Sequence, residues 1–252
     1  MLTANTIKLI KSLQQKKYRN QEGRFVAEGQ RLVSDLLQSS LSIDQVYYTT
    51  EWENNSQIVD NRFHPISAKD MARISGLKTP TSVLAVAKIP ENSLDINQIK
   101  NSLTLALDNI QDPGNLGTII RLADWFGIRT IVCSAETADA FAPKVVQATM
   151  GAIARVKVIY ADLIPFLNDA SAQKTPVFGT FLNGDNIYSA HLPKNGIVVL
   201  GNEGNGISDE VSKRITQRIT IPSFTEFGPT SESLNVAMAT AIVCSEFRRR
   251  TM

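Results

Sequence analysis

The clearest pattern of hydrophobic and polar positions covers residues 103–128, where an apolar run, a polar loop and a helical period follow one another. The run LTLAL at residues 103–107 is almost wholly apolar, as expected for a strand buried on both faces of a mostly parallel sheet. After the loop, apolar residues recur at helical spacing from Ile119 to Phe126, and Gly127 predicts the end of that helix. This stretch therefore predicts a strand, a tight loop and a helix.

Similar patterns along the rest of the chain predict an α/β protein. Before residue 90, helices are predicted at residues 5–15, 29–38 and 66–75, and strands at residues 25–29, 42–49 and 82–90. Residues 91–102 are polar, have no hydrophobic period and predict a linker. Strands and helices then alternate, which favours an open, doubly wound sheet. We therefore predict a small α/β domain at residues 1–90 and a larger α/β domain at residues 103–252.

The last predicted helix differs from the others in having almost no polar face. It covers residues 233–250, with apolar residues nearly all round between Leu234 and Phe247. Such a helix must be covered on every side, which indicates an interface with another subunit.

Composition narrows the class of protein. The chain has 252 residues, of which 43% are hydrophobic and 20% are charged, as in ordinary soluble proteins. No apolar run reaches the ~18 residues of a membrane span, and residues 1–13 have lysines among their apolar positions, unlike a secretory signal, so we expect a cytoplasmic protein. Cys133 and Cys244 form no C-x-x-C pair and are expected to be reduced core thiols. His64 and His191 are isolated, and we predict no metal site.

The charge distribution is more informative than the net charge of +2. Within the first 25 positions Glu22 is the one acidic residue, and it accompanies six basic residues: Lys8, Lys11, Lys16, Lys17, Arg19 and Arg24. A basic segment can bind phosphates through counterion release, although a solvated helix face is an equally common cause. Both interpretations stay open at this point.

Three polar loops follow strands or precede the last helix, and they carry the candidate chemistry. The first contains the turn residues 112–114, with Asn115 predicted as the helix N-cap, and brings Asn109 and Arg121 close by. A helix N-terminus, two amides and a guanidinium suit a polar or anionic ligand. An ordinary α/β turn is the alternative, because both glycine-rich nucleotide fingerprints are missing. That absence also argues against an NAD- or ATP-dependent enzyme.

The other two loops are GNEGNG at residues 201–206 and FGPTSESLN at residues 227–235. Three glycines around Glu203 imply close backbone approach, although an ordinary turn would also use them. In the last loop Ser231 or Ser233 could simply cap the helix. The three loops together favour a ligand site, because such sites form at the carboxyl ends of strands in α/β sheets.

These loops resemble the three motifs of the SpoU-type, or TrmH-like, RNA ribose 2′-O-methyltransferases. The matching runs are N-x-x-D-P-G-N-x-G-x-x-x-R at residues 109–121, G-N-E-G-x-G-I-S at 201–208, and I-P at 221–222 with S-L-N-V-A at 233–237. M-G-A at residues 150–152 also matches, and R-F-V-A-E-G-x-R at 24–31 is typical of members with an added N-terminal RNA-binding domain. The resemblance covers nearly the whole chain.

The resemblance implies a fold that hydrophobic patterns cannot predict. It is the SPOUT-type α/β fold, in which a C-terminal, mostly parallel sheet contains a deep trefoil knot and is preceded here by a small α/β RNA-binding domain. It also implies a homodimer and S-adenosylmethionine (AdoMet) as the methyl donor. The implied cofactor-binding residues are Thr180, Gly201, Ile221, Leu234 and Asn235. The implied RNA-binding residues are Lys16, Lys17, Arg19, Arg24, Glu28 and Arg31.

The implied catalytic residues are Asn109, Asn115, Arg121, Glu203, Ser233 and Asn235. Methyl transfer from a sulfonium is an in-line displacement, so the protein must align the acceptor oxygen and help remove its proton, without a metal. The resemblance implies that Arg121 activates the hydroxyl. Because a guanidinium stays protonated, we favour the alternative that Arg121 binds the phosphate beside the target ribose and stabilises the developing oxyanion. Glu203 is expected to hold that guanidinium, while the amides and Ser233 orient the ribose and the loops.

The chain departs from the family pattern in places, and alternative functions stay open. The segment between Ile221 and Ser233 is longer than usual and lacks the common methionine after I-P, and Lys157 stands where a proline is frequent. An RNA-binding protein of the same fold with a lapsed active site is one alternative, although all the catalytic residues are present. Ribosomal RNA is favoured as the substrate, and transfer RNA is the other candidate.

Overall fold

The computed structural model describes residues 2–52, 60–225 and 233–250. The chain forms two compact units, one made of Met1–Glu91 with Asp139–Arg155 and the other of Asn92–Ala138 with Val156–Met252. Asp139–Arg155 therefore leaves the second unit and packs within the first. The hydrophobic pattern gave no sign that Asp139–Arg155 would pack with the first unit, and it assigned all of residues 103–252 to one domain.

Helices and strands are numbered along the chain. The helices are α1 (Ala4–Ser12), α2 (Lys16–Glu22), α3 (Gln30–Leu37), α4 (Ala68–Ile74), α5 (Ile96–Lys100), α6 (Pro113–Trp125), α7 (Pro143–Ala148), α8 (Leu163–Ala172), α9 (Asp209–Ser212) and α10 (Val236–Arg249). The strands are β1 (Arg24–Glu28), β2 (Ile43–Tyr48), β3 (Phe63–Pro65), β4 (Val83–Lys88), β5 (Leu103–Asp108), β6 (Thr130–Cys133), β7 (Lys157–Tyr160), β8 (Val177–Asn186), β9 (Gly196–Gly201) and β10 (Gln217–Thr220).

The first unit contains a four-stranded sheet in the order β1-β4-β2-β3. Strand β4 is antiparallel to both β1 and β2, whereas β2 and β3 are parallel. Side chains of α1 and α4, including Ile10, Met71 and Ile74, pack on one face of this sheet. The N-cap of α1 is Thr3, and the N-cap of α4 is Ser67.

A buried ion pair holds the segment Asp139–Arg155 within the first unit. Arg19 of α2 is 3% exposed, and its Nε and Nη2 atoms donate to Asp139 Oδ2 at 3.0 and 2.6 Å. Its Nη1 atom donates to the carbonyl of Leu13 at 2.8 Å. Nearby, the rings of Phe25 and Phe141 pack at a centroid distance of 5.0 Å. These contacts join α2 and β1 to a segment more than 100 positions away.

The structure corrects two of the predicted RNA contacts. Arg19 is enclosed by the ion pair with Asp139, and Glu28 is 5% exposed. The carboxylate of Glu28 accepts hydrogen bonds from Ser75 Oγ and from the backbone amide of Gly76 at 2.5 and 2.8 Å. Both side chains are buried in internal contacts, so we do not propose either of them as an RNA contact.

The second unit is built on a six-stranded, entirely parallel sheet in the order β10-β8-β9-β5-β6-β7. This confirms the predicted parallel α/β architecture, while the trefoil knot stays a prediction. The segment predicted as a linker contains α5, which Asp95 caps and whose Ile99 is 2% exposed. Residues 96–100 are thus part of the packed unit, because Ile99 completes its hydrophobic core.

Strand register brings two of the motif loops together. In the pairing of β5 with β9, Asp108 lies opposite Gly201, and each is the last residue of its strand. The loops that begin at Asn109 and Asn202 therefore start side by side. Residues separated by more than 90 positions become neighbours through this register.

We expect Arg19→Ala to destabilise the first unit, because it leaves the carboxylate of Asp139 without its buried partner. Loss of one member of a buried pair costs about 3 kcal/mol or more in the free energy of unfolding. Lys16→Ala, on the exposed side of the same helix, is the control and should change stability little. Urea denaturation followed by circular dichroism measures both, and equal stability of the two variants would contradict the structural role of Arg19.

Candidate active site

The carboxylate of Glu203 lies at the N-terminal end of α6. Its Oε2 atom accepts from the amide of Gln111 at 3.3 Å, and its Oε1 atom accepts from the amide of Asp112 at 3.2 Å. The side-chain amide of Asn115 also donates to Oε1, at 3.0 Å. The start of a helix carries free amides and a positive dipole end, so this position favours a carboxylate.

Asn115 links Glu203 to the start of the last helix. Its Oδ1 atom accepts from Asn235 Nδ2 at 3.0 Å, while its Nδ2 atom donates to Glu203. The Oδ1 atom of Asn235 accepts from the amides of Ala237 and Met238 and so caps α10. Glu203, Asn115 and Asn235 thus form one hydrogen-bonded chain that joins the three motifs.

The predicted N-cap of α6 needs correction. Asp112 is the N-cap, and its Oδ1 atom accepts from the backbone amide of Asn115 at 2.8 Å. The helix begins at Pro113, a residue well suited to a first helical position because its missing amide would be unpaired there. Asn115 therefore lies in the first turn, which leaves its whole side chain free to join Glu203 with Asn235.

Asn109 adopts a left-handed backbone conformation, with φ of 60°. Asparagine tolerates this region better than most residues, yet it still needs support. The amide of Asn109 donates to Ser134 Oγ at 2.9 Å, and its carbonyl accepts from Asn202 Nδ2 at 2.7 Å. The Oδ1 atom of Asn109 accepts from Gln111 Nε2 at 3.1 Å. The loop geometry of the first motif therefore depends on Ser134 and Asn202.

Sequence reasoning missed Asn202 and Ser134. The Oδ1 atom of Asn202 accepts from the amides of Gly204 and Asn205 at 2.9 and 3.0 Å, and its backbone forms a bridge with Gly206. Its place inside GNEGNG was visible in the sequence, but its contact with Asn109 was not. Ser134 lies at the end of a different strand and carried no local signal.

The backbone around Gly201 leaves no room for a side chain, a constraint that the sequence alone could not reveal. A Cβ atom at this position would lie 2.2 Å from the carbonyl carbon of Gly206 and 2.2 Å from the amide nitrogen of Ile207. Both obstacles are backbone atoms, so the loop would have to move to admit any side chain. Asp108 holds the far side of the same loop, because its Oδ2 atom accepts from the amide of Ser208 at 2.7 Å.

Arg121 does not pair with Glu203, which corrects a prediction. Arg121 is exposed on α6, and within the described ranges it makes no hydrogen bond or ion pair. It lies nine residues beyond the Asp112 cap, which corresponds to about 13 Å along a helix axis. Glu203 instead binds amides at the very start of that helix. Within the chain, the two predicted partners therefore have separate surroundings.

A cavity of about 1280 Å³ adjoins the loop of residues 201–206. It is lined by four of the predicted cofactor-binding residues, Thr180, Gly201, Ile221 and Leu234, and by the predicted catalytic Ser233. Asn235, the fifth predicted cofactor residue, is not among the lining residues and instead caps α10. The longer loop that the sequence predicts before Ser233 falls largely on residues 226–232, outside the described residues.

The lining of this cavity fits a cofactor with both apolar and polar parts. Leu200, Ile207 and Val243 provide apolar surface, and the glycines of the loop at residues 201–206 bring backbone close to the cavity. At one end, Arg218 stacks over the ring of Phe181 at 3.6 Å from its centroid. Such a mixed lining suits a nucleoside joined to a small charged group.

The remaining predicted RNA contacts lie in the first unit. Lys16 and Lys17 of α2 and Arg31 of α3 are exposed. Arg24 is half-buried and forms ion pairs with Asp44 at 2.5 Å and with Glu22 at 3.5 Å. RNA binding by these four residues stays a prediction.

The described ranges of the chain contain neither a cluster of metal-binding side chains nor a helix that could span a membrane. In those ranges no cluster of three or more histidine, cysteine, aspartate or glutamate side chains could hold a metal ion. Likewise, none of the helices there has the length and hydrophobicity needed to cross a membrane.

Two protein-family models match the chain. The model of the SpoU rRNA methylase family matches residues 102–245, which include all three motifs. The model of the MRM3-like substrate binding domain matches residues 4–85. The two matches thus fall on either side of the boundary near residue 91.

Known proteins similar to the chain cover nearly all of it. A 23S rRNA (guanosine(2553)-2′-O)-methyltransferase of Bacillus subtilis is 29% identical over 240 residues, which are 94% of each protein. A structure from Porphyromonas gingivalis assigned to the TrmH family of RNA methyltransferases is 43% identical, with a TM-score of 0.87 and 99% of each chain covered. The AdoMet-bound rRNA methyltransferase of Sinorhizobium meliloti is 28% identical, with a TM-score of 0.84 and coverage of 100% of this chain and 97% of that one.

The surroundings of Glu203 predict a pH-dependent stability. Burial acts to raise the pKa of Glu203, but hydrogen bonds from Asn115 and from backbone amides, those of Gln111 and Asp112 among them, outweigh it and lower the pKa below its ordinary value. A carboxyl group of this kind stabilises the fold above its unfolded-state pKa of about 4.3, and the stabilisation is lost as the pH falls through the lower folded value.

We therefore expect Glu203→Gln to reduce the melting temperature at pH 7, and the difference from the wild type to shrink as the pH falls from about 5 to 3. Calorimetric scans across this range provide the measurement. Glu136→Gln, which removes another exposed carboxylate of the same unit, controls for the loss of charge. A difference that is the same at pH 7 and pH 3 would show that the hydrogen bonds to Glu203 do not favour its charged form.

Proposed function

Because the chain belongs to the SpoU rRNA methylase family, we propose that it is an AdoMet-dependent enzyme that methylates a ribose 2′-hydroxyl of ribosomal RNA. The observation that carries the proposal is the hydrogen-bonded chain of Asn235, Asn115 and Glu203. It unites three distant motifs beside a cavity lined by predicted cofactor residues.

The donor would occupy the cavity beside residues 201–206, held by Thr180, Gly201, Ile221 and Leu234. Bound there, AdoMet supplies an electrophilic methyl group. The backbone at the glycines of this loop can bind polar groups at close range, while the apolar lining excludes water. In this arrangement the protein's main contribution is to align the acceptor hydroxyl with the methyl group.

Arg121 is proposed to bind the phosphate next to the target ribose. Its guanidinium is exposed and has no partner among the described residues, so it is available for a bidentate contact. A fixed cation there also stabilises negative charge as the ribose hydroxyl loses its proton. Asn109 and Ser233 are proposed to orient the ribose.

Glu203 takes a different role from the one that the motif comparison implied. Its carboxylate is already bound by two backbone amides and by Asn115. We infer that it acts as a positioning residue, which fixes the start of α6 and the side chain of Asn115. Asn235 acts with it from the start of α10.

We also propose a homodimer formed through α6 and α10, which pack against each other. Large apolar side chains are exposed on this pair and just before α10: Trp125 is 83% exposed, Met238 is 60% exposed, and Leu234, two residues before the first residue of α10, is 52% exposed. Apolar surface of this kind favours a protein interface, and a second copy of the chain offers a matching patch by symmetry. Leu234 also lines the cofactor cavity, so dimerisation would help close it.

Ribosomal RNA is favoured over transfer RNA because the relatives from B. subtilis and S. meliloti are named as rRNA enzymes. A protein with a lapsed active site is disfavoured because the predicted amides and Glu203 are present and joined by good hydrogen bonds. With such a substrate, we expect the protein to work in the cytoplasm.

Methyl transfer to rRNA tests the proposal directly. Radiolabelled AdoMet should label rRNA isolated from a deletion strain, and nuclease digestion should yield a 2′-O-methylnucleoside. Arg121→Lys keeps the charge but loses the planar fork, so its single-turnover rate should fall by a factor of about 100 or more, with unchanged AdoMet affinity. Arg129→Lys, at another exposed arginine of the same unit, is the control. Unlabelled RNA would contradict the function, and a normal rate in Arg121→Lys would contradict the role of Arg121.

The dimer is tested by placing a charge in the exposed apolar patch. Met238→Glu should convert the dimer to a monomer, because a buried unpaired carboxylate would be costly at the interface. Analytical ultracentrifugation measures the mass of the assembly. Met150→Glu makes the same change at a methionine that is 37% exposed in the first unit, and it should leave the mass unchanged. A wild-type monomer, or a Met238→Glu dimer, would contradict this interface.

A further inference from the structure

The first unit contains a cavity of about 660 Å³ between α1 and its sheet, called here the α1 cavity. This volume lies within the range of about 300–1,000 Å³ that is typical of small-molecule sites. Its walls come from α1, β1, β2, β3 and β4, and they include Thr6, Leu9, Ile10, Gln45, Tyr47 and His64. The proposed methyl-transfer chemistry uses none of these residues.

One wall of the α1 cavity is aromatic and another is aliphatic. The rings of Tyr47 and His64 stack at a centroid distance of 5.3 Å and an interplanar angle of 29°, and because Tyr47 is only 6% exposed, the partly exposed ring of His64 is the one that a ligand can reach. Leu9 and Ile10 of α1 contribute the aliphatic surface. A planar ring is the ligand shape that best fits surfaces of this kind.

Polar groups in the cavity provide both donors and acceptors. His64 Nε2 is hydrogen-bonded to Gln45 Oε1, and the amide nitrogen of Gln45 has no acceptor among the residues that the structure describes. Asp44 and Arg24 form a 2.5 Å ion pair that also lines the cavity. Amide, carboxylate and guanidinium groups are those that read the edges of nucleobases.

The charges around the cavity favour a polyanion. Helix α1 carries Lys8 and Lys11 on its exposed surface and has no acidic residue. Helix α2, which follows directly, exposes Lys16 and Lys17. Across these two helices four exposed lysines accompany one exposed acid, Glu22, and this excess of positive charge favours an RNA backbone over a neutral or basic peptide.

We propose that the α1 cavity binds one unstacked base of the RNA substrate; this rests on the proposed function, which supplies RNA as the ligand. The base stacks against the aromatic wall, the amide and carboxylate of Gln45 and Asp44 face its edge, and the lysines of α1 and α2 bind the neighbouring phosphates. The first unit thereby recognises a flipped-out nucleotide, and not only the charge of the RNA.

A variant that fills the cavity tests the proposal. Thr6 of α1 lines the cavity, whereas its neighbour Asn5 is exposed and does not. Thr6→Trp should occupy the space of the base, and α1 keeps its N-cap because Thr3 Oγ1 accepts from the backbone amide of residue 6. We expect Thr6→Trp to weaken the binding of an rRNA fragment by about tenfold, the typical contribution of one stacked base. Asn5→Trp should remain within about twofold of the wild type.

Cross-linking provides an independent measurement on the wild-type chain. Ribosomal RNA substituted with 4-thiouridine should cross-link to peptides of β2 and β3 that contain Tyr47 and His64, and Thr6→Trp should abolish these cross-links. Gln45→Ala is a second variant that leaves the apolar core intact. It should weaken RNA binding, and nucleoside monophosphates added at millimolar concentration should compete less well with the RNA.

The outcomes separate this inference from the proposed function. If the wild type methylates rRNA but Thr6→Trp and Asn5→Trp bind it equally well, the inference fails and the function stands. Cross-links that lie wholly outside β2 and β3, or a co-purified peptide in the cavity, would also overturn the inference. If the wild type binds rRNA through the cavity but transfers no methyl group, the function fails and the inference stands.

Discussion

The contact between Glu203 and the start of α6 is the constraint on which the site depends. One carboxylate accepts from two backbone amides and from Asn115. Amides at a helix start have no helical partner, so an acceptor from another loop is needed to satisfy them. By supplying it, Glu203 fixes the loop after β9 to the loop after β5. Asn115 then extends the contact to Asn235 and the last helix.

This arrangement separates the residues that position the site from those available to a substrate. Glu203, Asn115 and Asn202 are occupied by contacts within the chain. Arg121 is exposed and has no internal partner in the described ranges. In the motif at residues 109–121, the first half therefore positions the site, and the second half presents an unpaired cation, Arg121. The physical cause is the helix itself, whose rise moves Arg121 away from the end that Glu203 covers.

The basic N-terminal segment has a similar division. Arg19 stabilises the fold through its buried ion pair with Asp139, whereas Lys16 and Lys17 remain at the surface. A charged residue in a basic segment is thus not necessarily a phosphate contact. The buried pair also explains why Asp139–Arg155 packs with the first unit, because removing Asp139 would leave a guanidinium uncompensated.

The sequence by itself determined the parallel α/β class, most helices and strands, the three motif loops and four of the residues that line the cavity beside residues 201–206. These features follow from local periodicity, turn residues and short motifs, which a linear chain displays directly. Only the tertiary structure decided that Asp112 caps α6 and that Asn202 and Ser134 hold Asn109. It also decided that Glu203 binds backbone amides and not Arg121. Likewise, only the fold shows that Arg19 and Glu28 are buried. Each of these depends on a partner that is distant in sequence or on competition between several nearby acceptors. Strand register and packing select that partner, and no local pattern encodes them.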